Sequence, residues 1–343
     1  MSFSEILGQE TAKRFLMQVM ASGKIPHAYL FTGIPGIGKT SAATAFAMAL
    51  NCREPIDFDG CGHCPSCRQF TGGNFPDFLS VVPDGQNIKI EQIKKLNRSL
   101  GFAPVSDGYR VCVIHQAETM TDEAANSFLK TLEEPPPGNI LILKVAEPLN
   151  LLPTIVSRCQ QVPFQPLSAQ DIRDWLLEHR DLDKESATLL ARISGGSLGR
   201  ALRMNDSDFL EKRKAWLSRL MDLHGFSRDE ALNLALDCAD EDRKKGLDIH
   251  TSGEAGMQDM LAVWGNWYRD LLLLRVDGPT DLVINIDFSN KLKNIAESYN
   301  VNRLIDSIMT VDQAQADIRR MRNATLVMEH MVLRLNRLAG SEN

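Results

Sequence analysis

A short glycine-rich segment ends in a lysine and a threonine, a composition suited to holding an anion. The segment consists of Gly33, Ile34, Pro35, Gly36, Ile37, Gly38, Lys39 and Thr40, and fits the pattern G-x-x-x-x-G-K-[ST] without a mismatch. Its glycines allow backbone N–H groups to turn inward around phosphates, while Lys39 reaches the β and γ oxygens. The Thr40 hydroxyl is expected to ligate Mg²⁺, and the following helix directs its positive end at the anion. We therefore predict a site for ATP or ADP, with Mg²⁺.

Hydrolysis at such a loop requires acidic groups elsewhere in the chain. An ATPase of this kind presents an aspartate for Mg²⁺ after a later apolar strand, and a neighbouring glutamate that polarises the attacking water. Here the apolar run at residues 111–114 is followed by His115 and Gln116. Histidine is a poor ligand for Mg²⁺, which prefers oxygen, and glutamine is a weak base. We interpret the nearby Glu118 as a surface residue in the first turn of a helix, and so predict nucleotide binding with little hydrolysis.

Four cysteines crowd into one short stretch with the spacing C-x8-C-x2-C-x2-C. They are Cys52, Cys61, Cys64 and Cys67. The two close steps let thiolates converge on one ion, and four sulfur ligands in tetrahedral geometry suit a closed, structural Zn²⁺ site. His63 could replace one thiol. An iron–sulfur cluster is the main competing interpretation, and cysteines without a metal are the third.

The elements that must position these residues follow from hydrophobic patterning. Short apolar runs at residues 27–32, 77–82, 110–114 and 139–143 alternate with helix-like stretches such as residues 90–100 and 121–134. Strands alternating with helices predict a parallel sheet with helices on both faces. Beyond residue 166 the chain is predicted to be almost entirely helical, and the last predicted helix runs from residue 301 to about residue 338.

The bulk composition limits the classes of partner. Lysine and arginine total 38 against 44 aspartates and glutamates, a net charge of −6, whereas a dedicated nucleic-acid binder usually has a basic excess. Any DNA contact is therefore expected from a local patch or a larger assembly. We see no secretion signal and no membrane span, which predicts a cytoplasmic protein. Trp264, Trp267 and Tyr268 are expected to pack in a helical core, and Lys212, Arg213 and Lys214 to form a solvated helix face.

Longer motifs carry a family resemblance. The run HAYLFTG at residues 27–33, NSFLKTLEEPP at 126–136 and LLPTIVSRC at 151–159 accompany the glycine-rich loop and the inserted cysteines. Together they resemble bacterial clamp-loader ATPases of the AAA+ class, strongly to about residue 205 and weakly beyond it. The resemblance implies three domains. These are an α/β P-loop AAA+ domain at 1–165 with a zinc module at about 52–67, a small helical lid at 166–206, and an all-α collar at 207–343 that joins a pentamer.

The resemblance also implies a function in DNA replication. Clamp loaders of DNA polymerase III, a nucleotidyltransferase complex, use ATP to open the ring-shaped sliding clamp and place it on primed DNA. The implied partners are motor (gamma or tau) and delta subunits in a hetero-pentamer, the clamp, and primer-template DNA. In the family, the arginine of Ser-Arg-Cys completes the neighbouring subunit's ATP site, which here gives that role to Arg158 in trans.

Three departures separate this sequence from the motor type. The motor keeps an Asp-Glu pair where this chain has His115 and Gln116, a threonine where it has Ala146, and an arginine where it has Gly199. These departures favour the delta-prime type of subunit. One alternative is a gamma/tau-type motor in which Glu118 replaces the missing acids. Another is a non-replicative AAA+ relative that binds nucleotide only as a structural cofactor.

Overall fold

The computed structural model describes residues 2–243, 256–320 and 322–339. The chain divides into two compact units. One unit comprises Met1–Trp175 and Ser194–Arg200, and the other comprises Leu176–Ile193 and Ala201–Asn343. None of the helices in the described part of the chain combines the length and the apolarity that a bilayer span requires.

The first unit is built on a five-stranded sheet. Its strands are β1 (Ala28–Thr32), β2 (Phe78–Val81), β3 (Arg110–Ile114), β4 (Asn139–Val145) and β5 (Gln160–Pro163). They are ordered β2-β3-β4-β1-β5 and all pair in parallel. The predicted parallel α/β fold is confirmed, and the four predicted strands correspond to β1 to β4. The short strand β5 was not predicted, because its two glutamines and a terminal proline lack an apolar pattern.

Helices cover both faces of this sheet. They are α1 (Glu10–Ser22), α2 (Lys39–Leu50), α3 (Pro65–Thr71), α4 (Ile90–Leu100), α5 (Asp122–Glu133) and α6 (Pro153–Val156). Successive strand residues point to opposite faces, so Tyr29 and Phe31 pack in the apolar cluster with α1, α2 and α3. Leu30 packs in the second cluster, with α4 and α5. A strand that is buried on both faces consists of a continuous apolar run, as residues 111–114 do.

The parallel arrangement determines where chemistry can occur. All five strands end at the same edge of the sheet, and ligands of open α/β sheets bind outside the carboxyl ends of the strands. The loop after β1 carries the glycine-rich segment, the loop after β3 begins with His115, and β4 ends next to Ala146. Because β4 lies between β1 and β3, these three loops are neighbours in space.

The second unit is helical, as the sequence predicts. The helices beyond the sheet are α7 (Ala169–His179), α8 (Lys184–Ile193), α9 (Leu198–Asn205), α10 (Phe209–Asp222), α11 (Arg228–Arg243), α12 (Met257–Arg275), α13 (Ser289–Ser298), α14 (Val301–Arg319) and α15 (Ala324–Ala339). The single final helix predicted for residues 301–338 is wrong. It divides into α14 and α15, because the Asn323 side chain accepts a hydrogen bond from the Leu326 backbone N–H (3.2 Å) and begins a new helix. Met321, which falls within this predicted helix, lies outside the described residues.

Two side-chain predictions for the helical unit had opposite outcomes. Trp264, Trp267 and Tyr268 are buried, and the Trp264 indole N–H donates to the Trp216 carbonyl oxygen at 3.1 Å, so their predicted core packing is confirmed. Arg213 is also fully buried, whereas a solvated face was predicted. Its guanidinium pairs with Asp287 at 2.7 Å, and this ion pair compensates for the water that the buried charge has lost. Asp287 is 74 residues away in the chain, so no local sequence pattern could indicate the pair.

Candidate functional site

The glycine-rich loop connects β1 to α2 at the carboxyl edge of the sheet. Gly33 and Gly36 have φ values of +134° and +77°, which side chains other than glycine rarely adopt. The Lys39 ammonium donates to the Ile34 carbonyl oxygen at 3.0 Å and also to that of Gly33. Burial lowers the pKa of Lys39 to about 8, an effect that the negative charge of Glu118 opposes. The loop therefore holds a buried cation, as a phosphate site requires.

The tip of the loop packs against the segment that precedes α9. Ser197 Oγ donates to the Pro35 carbonyl oxygen at 2.8 Å, and the Gly199 N–H donates to the Gly36 carbonyl oxygen at 2.9 Å. A Cβ atom at Gly199 would lie 2.9 Å from both the Cα and the carbonyl oxygen of Gly36. The position of the motor-type arginine therefore has no room for a side chain in this backbone arrangement. The close contact between Gly199 and Gly36 therefore requires a glycine at position 199, where the resemblance would place an arginine in the motor type.

His115 occupies the place that an ATPase gives to its Mg²⁺-binding aspartate. Its Nδ1 accepts a hydrogen bond from the Lys144 ammonium (2.8 Å), so its Nε2 carries the proton and donates to Ser80 Oγ at 3.0 Å. Burial and the charge of Lys144 lower the pKa of His115 to about 4. The imidazole is therefore neutral at pH 7. Gln116, the next residue, is exposed in a left-handed conformation with a φ of +48°.

Lys144 is a residue of the candidate site that the sequence did not predict. It lies near the end of β4, is 9% exposed, and donates to the Thr40 hydroxyl as well as to His115. Burial and the nearby charge of Lys39 lower the pKa of Lys144 to about 8. A signal was present, because a lysine interrupts an otherwise apolar run in β4. Lysines are almost never buried without a partner.

Glu118 is also placed differently from the prediction. It lies in a 3-10 turn, Ala117–Thr119, and Oε1 accepts a hydrogen bond from the Ala146 N–H at 3.3 Å. The other oxygen, Oε2, is buried without a hydrogen-bond partner among the described residues. The interpretation of Glu118 as a surface glutamate is therefore wrong. Its carboxylate faces the interior of the site, where its charge acts on Lys39.

These contacts do not fit a Mg²⁺ site. Mg²⁺ requires oxygen ligands in near-octahedral geometry, and it is usually held by carboxylates, hydroxyls and waters. Here the Thr40 hydroxyl accepts a hydrogen bond from an ammonium group, and the residue after β3 offers a nitrogen that is already bonded. The loop itself fits a nucleotide phosphate, because Lys39 and the start of α2 converge there. The residues therefore fit the nucleotide and not the magnesium.

The cysteine cluster extends from the end of α2 into the first turn of α3. The Sγ atoms of all four predicted ligands lie within 4.8 Å of one another, with Cys52 to Cys64 and Cys61 to Cys67 both at 3.9 Å. Four sulfurs at the ordinary Zn–S distance around a tetrahedral ion are about 3.8 Å apart. A multi-iron cluster holds its thiolates further apart, because iron and sulfide atoms lie between them. The four side chains could therefore hold one tetrahedral ion.

Backbone groups around the cluster favour thiolates. The N–H groups of Cys61, Cys64 and Cys67 point at the sulfurs of Cys52, Cys61 and Cys64, at 3.3, 3.4 and 3.5 Å. Burial raises the pKa of the Cys64 thiol, but N–H groups of Arg53 and Cys67 outweigh that effect and lower it to about 6. Burial outweighs the N–H groups at Cys52 and Cys67, where the pKa of the thiol is raised. His63 is exposed and contacts the Cys61 carbonyl oxygen and Glu54 instead of the sulfurs. His63 is thus no ligand in this arrangement.

Arg158 follows the short helix α6 and lies on the surface. Its guanidinium donates to the Thr154 carbonyl oxygen at 2.9 Å and pairs with Glu133 Oε1 at 2.7 Å. The side chains of Arg158 and Glu133 are 36% and 50% exposed. Exposed ion pairs of this kind contribute little stability, so the guanidinium can exchange this partner for another anion.

A parallel sheet that carries a glycine-rich loop of the P-loop pattern after β1, followed by helical segments, has the architecture of the P-loop AAA+ fold. A family model described as "DNA polymerase III, delta subunit" matches residues 8–168. The DNA polymerase III subunit delta' of Bacillus subtilis is 31% identical over 95% of this chain and 96% of its own length. The chain belongs to the clamp-loader family of DNA polymerase III subunits that comprises delta-prime, gamma and tau.

Two further similarities are more distant. The tau subunit of Bacillus subtilis is 27% identical over 97% of this chain, which spans 61% of that relative. A solved DNA polymerase III gamma subunit-related protein from Thermotoga maritima is 19% identical, with a TM-score of 0.43, over 96% of this chain and 99% of that one. The delta' relative of Bacillus subtilis confirms, at the level of the family, the resemblance that the sequence motifs carry.

Proposed function

We propose that this chain acts as a delta-prime-like subunit of the clamp loader. It binds nucleotide with little hydrolysis of its own, and it donates Arg158 to the ATP site of a neighbouring motor subunit. Its partners are motor (gamma or tau) and delta subunits in a hetero-pentamer that loads the sliding clamp onto primer-template DNA in the cytoplasm. The domains that serve these roles are the AAA+ domain at 1–165, the lid at 166–206 and the collar at 207–343.

One observation carries the proposal. The nucleotide loop keeps its phosphate-binding groups, while the groups that would hold a catalytic metal are replaced or occupied. The Lys144 ammonium donates to the Thr40 hydroxyl, which an ATPase would use to ligate the metal. The neutral His115 stands after β3, where an ATPase would carry its aspartate. Arg158, in contrast, remains exposed and weakly held. This combination favours a subunit that completes a neighbour's site over one that turns over ATP itself.

The chemistry assigned to Arg158 follows from its charge and shape. Negative charge develops on the γ-phosphoryl oxygens during transfer, and a guanidinium near them stabilises that charge. The planar group with several N–H donors also binds phosphate oxygens with defined geometry, which a lysine does not reproduce. A subunit that moves Arg158 toward or away from a neighbour's nucleotide would therefore couple ring geometry to hydrolysis.

Assembly is the first test of this function. The purified chain is expected to co-elute with motor and delta subunits from the same organism in one stable complex, and to restore clamp- and DNA-stimulated ATPase to a mixture that lacks it. A chain that neither assembles nor stimulates would contradict the proposal and favour a non-replicative AAA+ relative.

The motor alternative has one observation in its favour. The Glu118 carboxylate is buried beside Ala146 and acts on Lys39, so it could polarise a water at the chain's own nucleotide. Steady ATP turnover by the isolated chain, abolished by Glu118→Gln, would support that alternative. The proposed function expects no such turnover.

The cysteine cluster is proposed to hold a structural Zn²⁺. Cys64→Ser is expected to lower the metal content from about one zinc per chain to near zero, and to lower the unfolding temperature by more than about 5 °C, because a structural zinc contributes directly to folding. Elemental analysis and thermal unfolding measure both quantities. Cys112→Ala, which changes a buried cysteine of β3 outside the cluster, should retain the zinc. Iron with visible absorbance in the purified protein would instead indicate an iron–sulfur cluster.

A further inference from the structure

The Lys144 ammonium occupies a defined position in the nucleotide site. It donates hydrogen bonds to the Thr40 hydroxyl and to His115 Nδ1, and the lysine is 9% exposed. Thr40 lies in the first turn of α2, and His115 follows β3, so both belong to the elements that hold a metal in P-loop ATPases. One cationic side chain therefore joins the two places that would otherwise share a magnesium ion.

The contacts of Lys144 change what Thr40 can do. A hydroxyl oxygen that accepts from an ammonium has its proton free to donate, so Thr40 becomes a donor toward a phosphate oxygen. An ammonium carries three donors and no acceptor, and it attracts phosphate oxygens directly. The Nε2–H of His115 donates to Ser80, which fixes the imidazole as an acceptor for Lys144.

We infer that Lys144 takes the place of Mg²⁺, so that this chain binds nucleoside triphosphates without a divalent metal. The inference rests on the proposed nucleotide binding and adds its metal requirement and an unrecognised binding residue. Lys39 and Lys144 then form two fixed positive groups beneath the phosphates, with the Glu118 carboxylate as the nearby negative group. An ammonium carries half the charge of Mg²⁺ and cannot ligate water, which agrees with binding without turnover.

The buried charges support the same conclusion. Burial lowers the pKa of both lysines to about 8, because each ammonium has lost water without gaining a full counter-charge. Neither ammonium contacts a carboxylate among the described residues, because their hydrogen bonds go to carbonyl oxygens, a hydroxyl and an imidazole. Two buried cations at the carboxyl edge of the sheet therefore favour an anion there. A bound triphosphate supplies that anion to both at once.

Titration calorimetry with ATP, in excess Mg²⁺ and in excess EDTA, tests the inference. The dissociation constant of the wild-type chain is expected to differ by less than about threefold between the two buffers. Lys144→Met should weaken ATP binding in EDTA by about tenfold or more, the effect of removing a hydrogen bond to a charged group. The matched control is Lys95→Met, at an exposed lysine of α4, which should bind as the wild type does.

A second variant tests whether Lys144→Met weakens ATP binding only because it disturbs the structure of the site. Lys144→Ala combined with His115→Asp vacates the cation's place and supplies a carboxylate, and it is expected to bind ATP at least about tenfold more tightly in Mg²⁺ than in EDTA. Wild-type binding that requires Mg²⁺ would overturn the inference and leave nucleotide binding standing. So would Lys144→Met binding with unchanged affinity in EDTA. Binding in neither buffer would overturn the inference and the proposed nucleotide binding together.

Discussion

Replacing Arg158 by alanine is expected to abolish most of the ATP hydrolysis at the neighbouring site of a reconstituted clamp loader. Arginines supplied to a nucleotide by another chain accelerate phosphoryl transfer by about 10³- to 10⁵-fold in related P-loop enzymes. Because other sites in the ring keep their own catalytic groups, the clamp- and DNA-stimulated ATPase of the whole complex should fall by the share that the neighbouring site contributes. The steady-state rate of the assembled complex measures it.

Two variants separate the chemistry of Arg158 from its local contacts. Arg158→Lys keeps the charge but loses the planar donor geometry, so it should restore little of the rate. Glu133→Gln removes the exposed ion-pair partner of Arg158 and should leave the rate close to that of the wild type. All three variants should assemble normally. An Arg158→Ala complex that hydrolyses ATP at the wild-type rate would remove Arg158 from the neighbour's site.

The sequence could predict those parts of the site whose functional residues are close together in the chain. All the expected phosphate-binding groups of the loop from Gly33 to Thr40 lie within eight consecutive residues. The structure places this loop after β1 and at the start of α2, as predicted. The four cysteines are likewise contained within one short insertion, and their sulfurs converge. In both cases the local backbone alone brings the functional groups together, so the pattern is sufficient.

The parts that could not be predicted depend on strand order. Lys144 contacts Thr40, which is 104 residues away in the chain, because β4 pairs with β1. No local sequence pattern predicts that strand pairing. The inward direction of Glu118 depends on an exposed left-handed Gln116 that turns the chain after β3. The sequence did offer one signal for these residues, namely a polar residue within an apolar run. A buried lysine in a strand indicates that it has a partner, but it does not identify that partner.

A buried ion pair next to this sheet produces the largest expected effect on stability. Asp77 is fully buried and accepts hydrogen bonds from the N–H groups of Val105 (3.0 Å) and Ser106 (2.7 Å) and from Arg110 Nε (3.0 Å). Arg110, 6% exposed, also donates to the carbonyl oxygens of Ser99 and Phe102, both at 2.7 Å. The pair therefore joins β3 to the loop after α4.

Asp77→Asn is expected to reduce the free energy of unfolding by about 3–5 kcal/mol, because it leaves the Arg110 guanidinium buried without its anion. Urea denaturation at pH 7, followed by circular dichroism, measures this loss. Asp84→Asn is the matched control, since Asp84 forms an exposed pair with Lys89 at 2.8 Å, and its unfolding midpoint should not change. A midpoint for Asp77→Asn equal to that of the wild type would contradict the stabilising role of the pair.

The pH dependence of this loss distinguishes lost charge from lost packing. Burial raises the pKa of the Asp77 carboxyl, but the donors from Ser106, Val105 and Arg110 outweigh it, and the pKa lies below its usual value. A carboxyl with a depressed pKa in the folded state contributes stability that is fully present above its unfolded pKa of about 3.9. That stability is lost as the pH falls through the folded pKa. The difference between wild type and Asp77→Asn should therefore be constant from neutral pH down to mildly acidic pH and then shrink, whereas a packing defect would leave it unchanged.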